Sequence, residues 1–116
     1  MSKVVIIGAG PAGIFCGLRL SEVLSGEDIT IIEKGKPIDK RHCPLLLNGK
    51  CVSCEPCSMI SGWGGAGAYS DGKLNITGEI GGFLNEILGE RRFGSFVPEV
   101  LKYFYDHGAP KDLDNV

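Results

Sequence analysis

The sequence predicts an α/β fold that opens with a parallel β-α-β unit, and three observations in its first 33 residues predict it. Val4-Val5-Ile6-Ile7 is an unbroken β-branched apolar run, the composition of a strand buried on both faces. Gly8-Ala9-Gly10-Pro11-Ala12-Gly13 follows at once and leads into a helical stretch from Ile14 to about Leu24. Ile29-Thr30-Ile31-Ile32 is a second strand-like run, closed by Glu33.

The glycine segment is G-x-G-x-x-G, and Glu33 lies 20 residues after Gly13. A strand before the motif, a helix after it and an acid at that distance make up the dinucleotide-binding fingerprint. Gly8 permits the tight turn, Gly10 leaves the backbone open to a pyrophosphate, and Gly13 lets the helix pack closely on the strand. Pro11 and Ala12 sit near the helix start, where a missing N–H costs nothing and free N–H groups face an anion. Glu33 is suited to accept hydrogen bonds from both hydroxyls of an adenosine ribose, and its charge would repel a 2′-phosphate. The plainer alternative is a glycine turn that only packs a helix on a sheet.

Composition narrows the function classes. The chain has 116 residues, a formal net charge of −2 and 18 glycines, which sets an upper bound of one domain. Basic residues are scattered, so no nucleic-acid-binding face is expected. No segment is long and apolar enough to span a bilayer, so no membrane partner is expected. The apolar stretch after Lys3 is interrupted by glycines and Pro11, unlike a signal peptide. Five cysteines, an odd number, then fit a reducing cytoplasm better than a disulfide scaffold. Only two strong strand signals occur, both before residue 34; Leu74-Asn75-Ile76 adds a short strand or hairpin arm. Two parallel strands leave sheet edges and apolar faces uncovered. The chain is therefore expected to be the N-terminal piece of a larger protein, with completion by a second chain as the alternative.

Three further segments carry candidate chemistry. Lys34, Lys36, Lys40, Arg41 and His42 form a basic loop; such a run is ordinarily solvated, and its functional reading places Arg41 or Lys36 at cofactor phosphates. Cys51, Cys54 and Cys57 are spaced C-x2-C-x2-C, with Cys43 upstream as a fourth thiol. Such a set suits zinc or an iron–sulfur cluster; Cys54-Glu55-Pro56-Cys57 also reads as a redox dithiol, and unliganded thiols are the third reading. Cys16, in the first helix, is expected to be a buried small hydrophobe. The second glycine loop, Gly62-Trp63-Gly64-Gly65-Ala66-Gly67-Ala68-Tyr69-Ser70-Asp71-Gly72-Lys73-Leu74, lacks the G-K-[ST] ending of a phosphate-binding P-loop. Its small residues let the backbone lie against a flat ligand and form an anion-binding nest. Ser70 is suited to a phosphate or ribityl hydroxyl, and Lys73 to phosphate charge or the electron-rich end of a flavin.

Beyond Gly81-Gly82, residues 83 to 93 read as a short helix with Phe83, Leu84, Ile87 and Leu88 as its apolar face. Ser95 reads as the N-cap of a second helix, about Phe96 to Asp106, whose aromatics are core and which ends at His107-Gly108. The tail after Pro110 has no closing element, so the fold looks interrupted there.

The first glycine motif with Glu33-Lys34-Gly35, Arg41-His42-Cys43-Pro44, the Cys51–Cys57 segment and the run from Gly62 to Leu74 together resemble the N-terminus of poorly characterised FAD-dependent dehydrogenases of bacteria and archaea, also called NAD(P)/FAD-dependent oxidoreductases. The resemblance covers about residues 3 to 75. It implies a partial, truncated Rossmann-like FAD/NAD(P)-binding fold: a β-α-β start over 1–35, a cysteine-rich loop over 41–60, a flavin loop over 61–75 and helices over 83–107. It further implies FAD with its pyrophosphate over Gly8, Gly10 and Gly13 and its ribose on Glu33. Lys34 and Arg41 would stand on the phosphate or ribose side, and Gly65, Ala66, Gly67, Ser70 and Lys73 along the flavin. The implied chemistry is hydride or electron transfer with NAD(P)H as co-substrate and an unidentified small-molecule substrate, no acid or base being assignable. Two other classes stay open: a small dinucleotide-binding subunit completed by a partner chain, and a cysteine-based metal or iron–sulfur electron-transfer module.

Overall fold

The computed structural model describes residues 3–70, 72, 74 and 82–110. Lys73 and the Asn75-Ile76 part of the expected short strand lie outside the described residues. The chain divides into two compact units, Met1–Asp71 and Gly72–Val116.

The first unit is built on β1 (Val4–Ile7), α1 (Pro11–Ser21) and β2 (Ile29–Ile32). The strands pair in parallel, Val4 opposite Ile29 through Ile7 opposite Ile32, and the Gly8 N–H extends the ladder by donating to the Ile32 carbonyl at 2.7 Å. A parallel pair needs a crossover, and α1 supplies it. The helix starts three residues before the sequence expectation and ends three before it. Pro11 occupies its first turn after an extended Gly10 N-cap, the position where proline's fixed φ is preorganised for helix. Beyond Ser21 only a turn continues, with the Val23 and Leu24 N–H groups donating to the Leu20 carbonyl.

One sheet face packs on α1. Gly17 is buried there, and a Cβ on it would stand 3.0 Å from Ile31 Cδ1 and 3.6 Å from Ile6 Cδ1. Cys16 is exposed, against expectation: one residue is about 100° of helix rotation, so seating Gly17 on the sheet turns Cys16 away. The other sheet face holds Val5, Ile7 and Ile32, exposed by 52%, 78% and 52%. The strands are thus covered on one face and not on both, because the unit provides a single crossover helix.

After β2 the chain makes a short 3₁₀ turn at Ile38–Lys40, a five-residue helix α2 (Pro44–Asn48) ended by a left-handed Gly49, and a second 3₁₀ turn at Gly65–Tyr69. The sequence reading had no helix at α2. Pro44 at its first turn and Gly49 at its C-cap are the ordinary start and stop signals.

The second unit contains α3 (Leu84–Leu88) and α4 (Glu90–Asp106). The break falls at Gly89, which has φ +78°, and not between Phe93 and Ser95. Ser95 lies inside α4 and its hydroxyl donates to the Arg92 carbonyl, while Pro98 is accommodated within the helix. Phe93, Val97, Val100, Leu101 and Phe104 form a half-buried stripe at helical spacing. Phe96 is 40% exposed, and Phe83, Leu84 and Ile87 are 71%, 52% and 77% exposed, so these four are surface and not core. α4 ends as expected, with Gly108 at φ +93°.

Candidate functional site

The three glycines of the first turn have three different environments. Gly8 has φ +98°, a conformation that L side chains rarely adopt. A Cβ on Gly13 would lie 2.0 Å from the Gly8 carbonyl oxygen, so only glycine lets α1 come this close to the strand end. A Cβ on Gly10 would meet nothing within 4 Å. That side of the turn is open, and it adjoins the start of α1, where Gly10 offers no side-chain cap and the first N–H groups have no partner within the helix.

Glu33 ties this turn to two other loops. Its Oε2 accepts from the Ala9 N–H at 2.8 Å, and its Oε1 accepts from the N–H groups of Gly35 and Gly62 at 2.8 and 2.9 Å. The Ala9 hydrogen bond, then that of Gly35, holds the carboxyl below the usual glutamate range. The Gly62 bond and the Lys34 charge act in the same direction, against partial desolvation. A carboxylate offers about four lone-pair positions, so one direction, on Oε2, is left after these three bonds. Lys34 is exposed beside it.

The second glycine loop is bound to the first. The Gly64 N–H donates to the Ala9 carbonyl at 2.9 Å, and a Cβ on Gly65 would lie 3.4 Å from Gly10 Cα and 3.5 Å from Pro11 Cδ. Gly35 and Gly62 face one another so closely that a Cβ on Gly35 would stand 2.3 Å from the Gly62 nitrogen. Ala66, Gly67 and Ser70 follow on the exposed side of the loop. Gly8, Gly10, Pro11, Gly13, Glu33 and Gly65 therefore belong to one junction of three loops, while Ala12, Ala66, Gly67 and Ser70 follow its members along the chain. Gly62 and Tyr69, members of the same glycine loop, join the junction through partners the sequence does not point to, the Glu33 carboxylate and the Arg41 carbonyl.

Arg41 belongs to the same junction but faces inward. It is 4% exposed. Its Nε and Nη2 donate to the Ser58 carbonyl at 3.1 and 2.9 Å, Nη2 also to Met59 at 2.9 Å, and Nη1 to the carbonyls of Trp63 and Gly65 at 2.8 and 2.9 Å. All five guanidinium donors are committed to backbone oxygens, which leaves none for the phosphate or ribose side where the resemblance put this residue. The ring of Tyr69 lies 4.9 Å from the guanidinium carbon, and its hydroxyl donates to the Arg41 carbonyl at 2.6 Å.

The cysteines are not gathered in this way. Cys43 is buried, Cys51 exposed, and Cys54 and Cys57 half-buried, all as free thiols. Among the described residues no three His, Cys, Asp or Glu side chains converge to hold a metal ion. Cys43, Cys51, Cys54 and Cys57 are not gathered as a ligand set in this structure. Among the described residues no helix is long and apolar enough to cross a membrane.

No family model matches the chain, and no solved structure matches it. The chain is similar to an uncharacterized protein of Clostridium beijerinckii, with 39% identity over 74 residues. Those residues are 63% of this chain and 14% of that protein, so the chain matches a small part of its relative.

Proposed function

We propose that this chain is the FAD-binding portion of a flavin-dependent oxidoreductase, a dehydrogenase, and is incomplete by itself. The observation that carries the proposal is the β1–turn–α1–β2 unit, in which Gly8 and Gly13 are required by backbone geometry while Gly10 faces open space beside the helix start. Geometry alone accounts for the first two glycines; a ligand accounts for the third. The open side of Gly10, with the first turn of α1 at Pro11, Ala12 and Gly13, would hold the pyrophosphate. The remaining Oε2 direction of Glu33 would take one ribose hydroxyl, and the carboxylate would oppose a 2′-phosphate. Gly65, Ala66, Gly67 and Ser70 would line the flavin side, with Lys34 offsetting phosphate charge.

FAD, when bound, supplies hydride or electron transfer, for which NAD(P)H is the proposed co-substrate. The chain's own part is to position the cofactor and tune the charge around it. The uncovered Val5, Ile7 and Ile32 face supports completion by further polypeptide, because parallel sheets are ordinarily covered on both faces. A Rossmann-like sheet, a cytoplasmic setting and a small-molecule substrate belong to this same reading.

The test is flavin binding by the purified chain, read as visible absorption and as quenching of added FAD fluorescence. Binding is expected in the parent chain and not in Gly10→Val, which keeps its fold because the added side chain enters open space. Unchanged FAD affinity in a folded Gly10→Val chain would refute the site.

A further inference from the structure

We propose that Arg41 is the positioning residue of the three-loop junction: its buried guanidinium sets the orientation of the peptide units that present the second glycine loop to the first. The inference rests on reading that junction as a cofactor cradle, but its geometry stands apart from any ligand.

A guanidinium 4% exposed is costly unless its charge is met. Among the described residues no carboxylate pairs with it; the carbonyls of Ser58, Met59, Trp63 and Gly65 converge on it instead. In a planar trans peptide, the carbonyl of one residue and the N–H of the next point in opposite directions. Turning the Trp63 carbonyl onto Arg41 therefore turns the Gly64 N–H away from it, and that N–H donates to the Ala9 carbonyl in the first glycine turn. Arg41 and Ala9 thus hold opposite ends of one peptide unit. The same relation at the Gly65 carbonyl directs the Ala66 N–H away from the guanidinium.

Two further details fit this role. A Cβ on Gly62 would fall 2.6 Å from Arg41 Cδ, so glycine makes room for the side chain to pass. Tyr69 binds the Arg41 carbonyl and stacks on the guanidinium, which fixes the far end of the loop to the same residue. Lysine keeps the charge but has three donors on a flexible stem, and cannot match four carbonyls held by a planar five-donor fork.

The test is backbone amide hydrogen exchange on the full chain, with FAD titration alongside. In Arg41→Lys the Gly64 amide is expected to exchange at least about tenfold faster, while the Gly8 amide, bonded within the sheet, changes by less than about twofold. FAD affinity is expected to fall by about tenfold in the same variant. Tyr69→Phe, which removes one hydroxyl, is expected to shift Gly64 in the same direction by less, and it carries the test should Arg41→Lys fail to fold. Equal Gly64 exchange in the parent and folded variants would overturn the proposal. So would equal acceleration at Gly8 and Gly64, which would make Arg41 a general stabiliser. Loop-specific acceleration with FAD affinity equal in the parent and the variant would refute the cofactor reading of the junction and leave the positioning role intact.

Discussion

The glycine turn at residues 8–13 and the cysteine segment at 43–57 are both short motifs with regular spacing, but they differ in what surrounds them. The glycines lie between a strand and a helix that fix their backbone, and Glu33 and Gly64 bind the neighbouring Ala9 from two other loops. The cysteines lie on irregular backbone flanking and following a short helix, and their burial ranges from buried at Cys43 to exposed at Cys51. Spacing along a chain becomes convergence in space only where regular structure or a dense hydrogen-bond set converts one into the other. The glycines have both, and the cysteines have neither around their sulfurs.

The sharpest way to break this comparison is at Gly13. Gly13→Ala places a methyl group 2.0 Å from the Gly8 carbonyl oxygen, so α1 or the turn must shift. Overpacking of this kind costs about 1–3 kcal/mol, and with a backbone atom as the obstacle the upper end is expected in denaturant unfolding. Gly10→Ala, whose added methyl group would meet nothing within 4 Å, is expected to stay within about 0.5 kcal/mol of the parent. Equal stability of the two alanine variants would mean that the turn is not held by the packing described.

Glu33 gives the next largest effect. In Glu33→Gln one carboxylate oxygen becomes an amide NH₂, and at least one of the N–H groups of Ala9, Gly35 and Gly62 loses its acceptor. Leaving such a donor unsatisfied costs about 1–3 kcal/mol. The sign of the pH dependence follows from the lowered pKa. The carboxylate's contribution is complete above the ordinary value of 4.5 and is lost as pH falls through the depressed value of the folded state. The parent and Glu33→Gln chains are therefore expected to differ most near neutral pH and to converge in acid. A difference in unfolding free energy that stays constant from pH 7 to pH 3 would show that the three hydrogen bonds do not depend on the charge.

How much of this was legible in the sequence follows the same division. The parallel unit, the turn at Gly8, the close packing at Gly13 and the helix stop at Gly108 were readable because each depends mainly on local sequence pattern. Arg41 was not: its place among four basic neighbours suggested a solvated loop, and its burial depends on carbonyls 17 to 24 residues downstream. Glu33 was recognised as the acid of the motif, but its bond to Gly62 is equally non-local. The α3–α4 boundary was misplaced because Ser95 is a strong local N-cap signal, whereas Gly89 at positive φ makes the actual break. Gly62 carried a weak signal, as a glycine beside the Trp63-Gly64-Gly65 run that a buried side chain has to cross.

The smallest effect is expected among the cysteines. Cys54 is half-buried and unpaired to any other sulfur, so Cys54→Ser is expected to change the unfolding free energy by less than about 0.5 kcal/mol. The same small difference is expected in the presence of zinc, since thiolates that do not converge give a tetrahedral ion no site without reordering the loop. A structural zinc ion contributes its binding free energy to folding, so the alternative has a large and opposite signature. A zinc-dependent rise in the unfolding midpoint of the parent chain, lost in Cys54→Ser, would show that the segment closes on a metal. The cysteine loop would then be held as firmly as the glycine junction, by a centre that organises it only when the ion is bound.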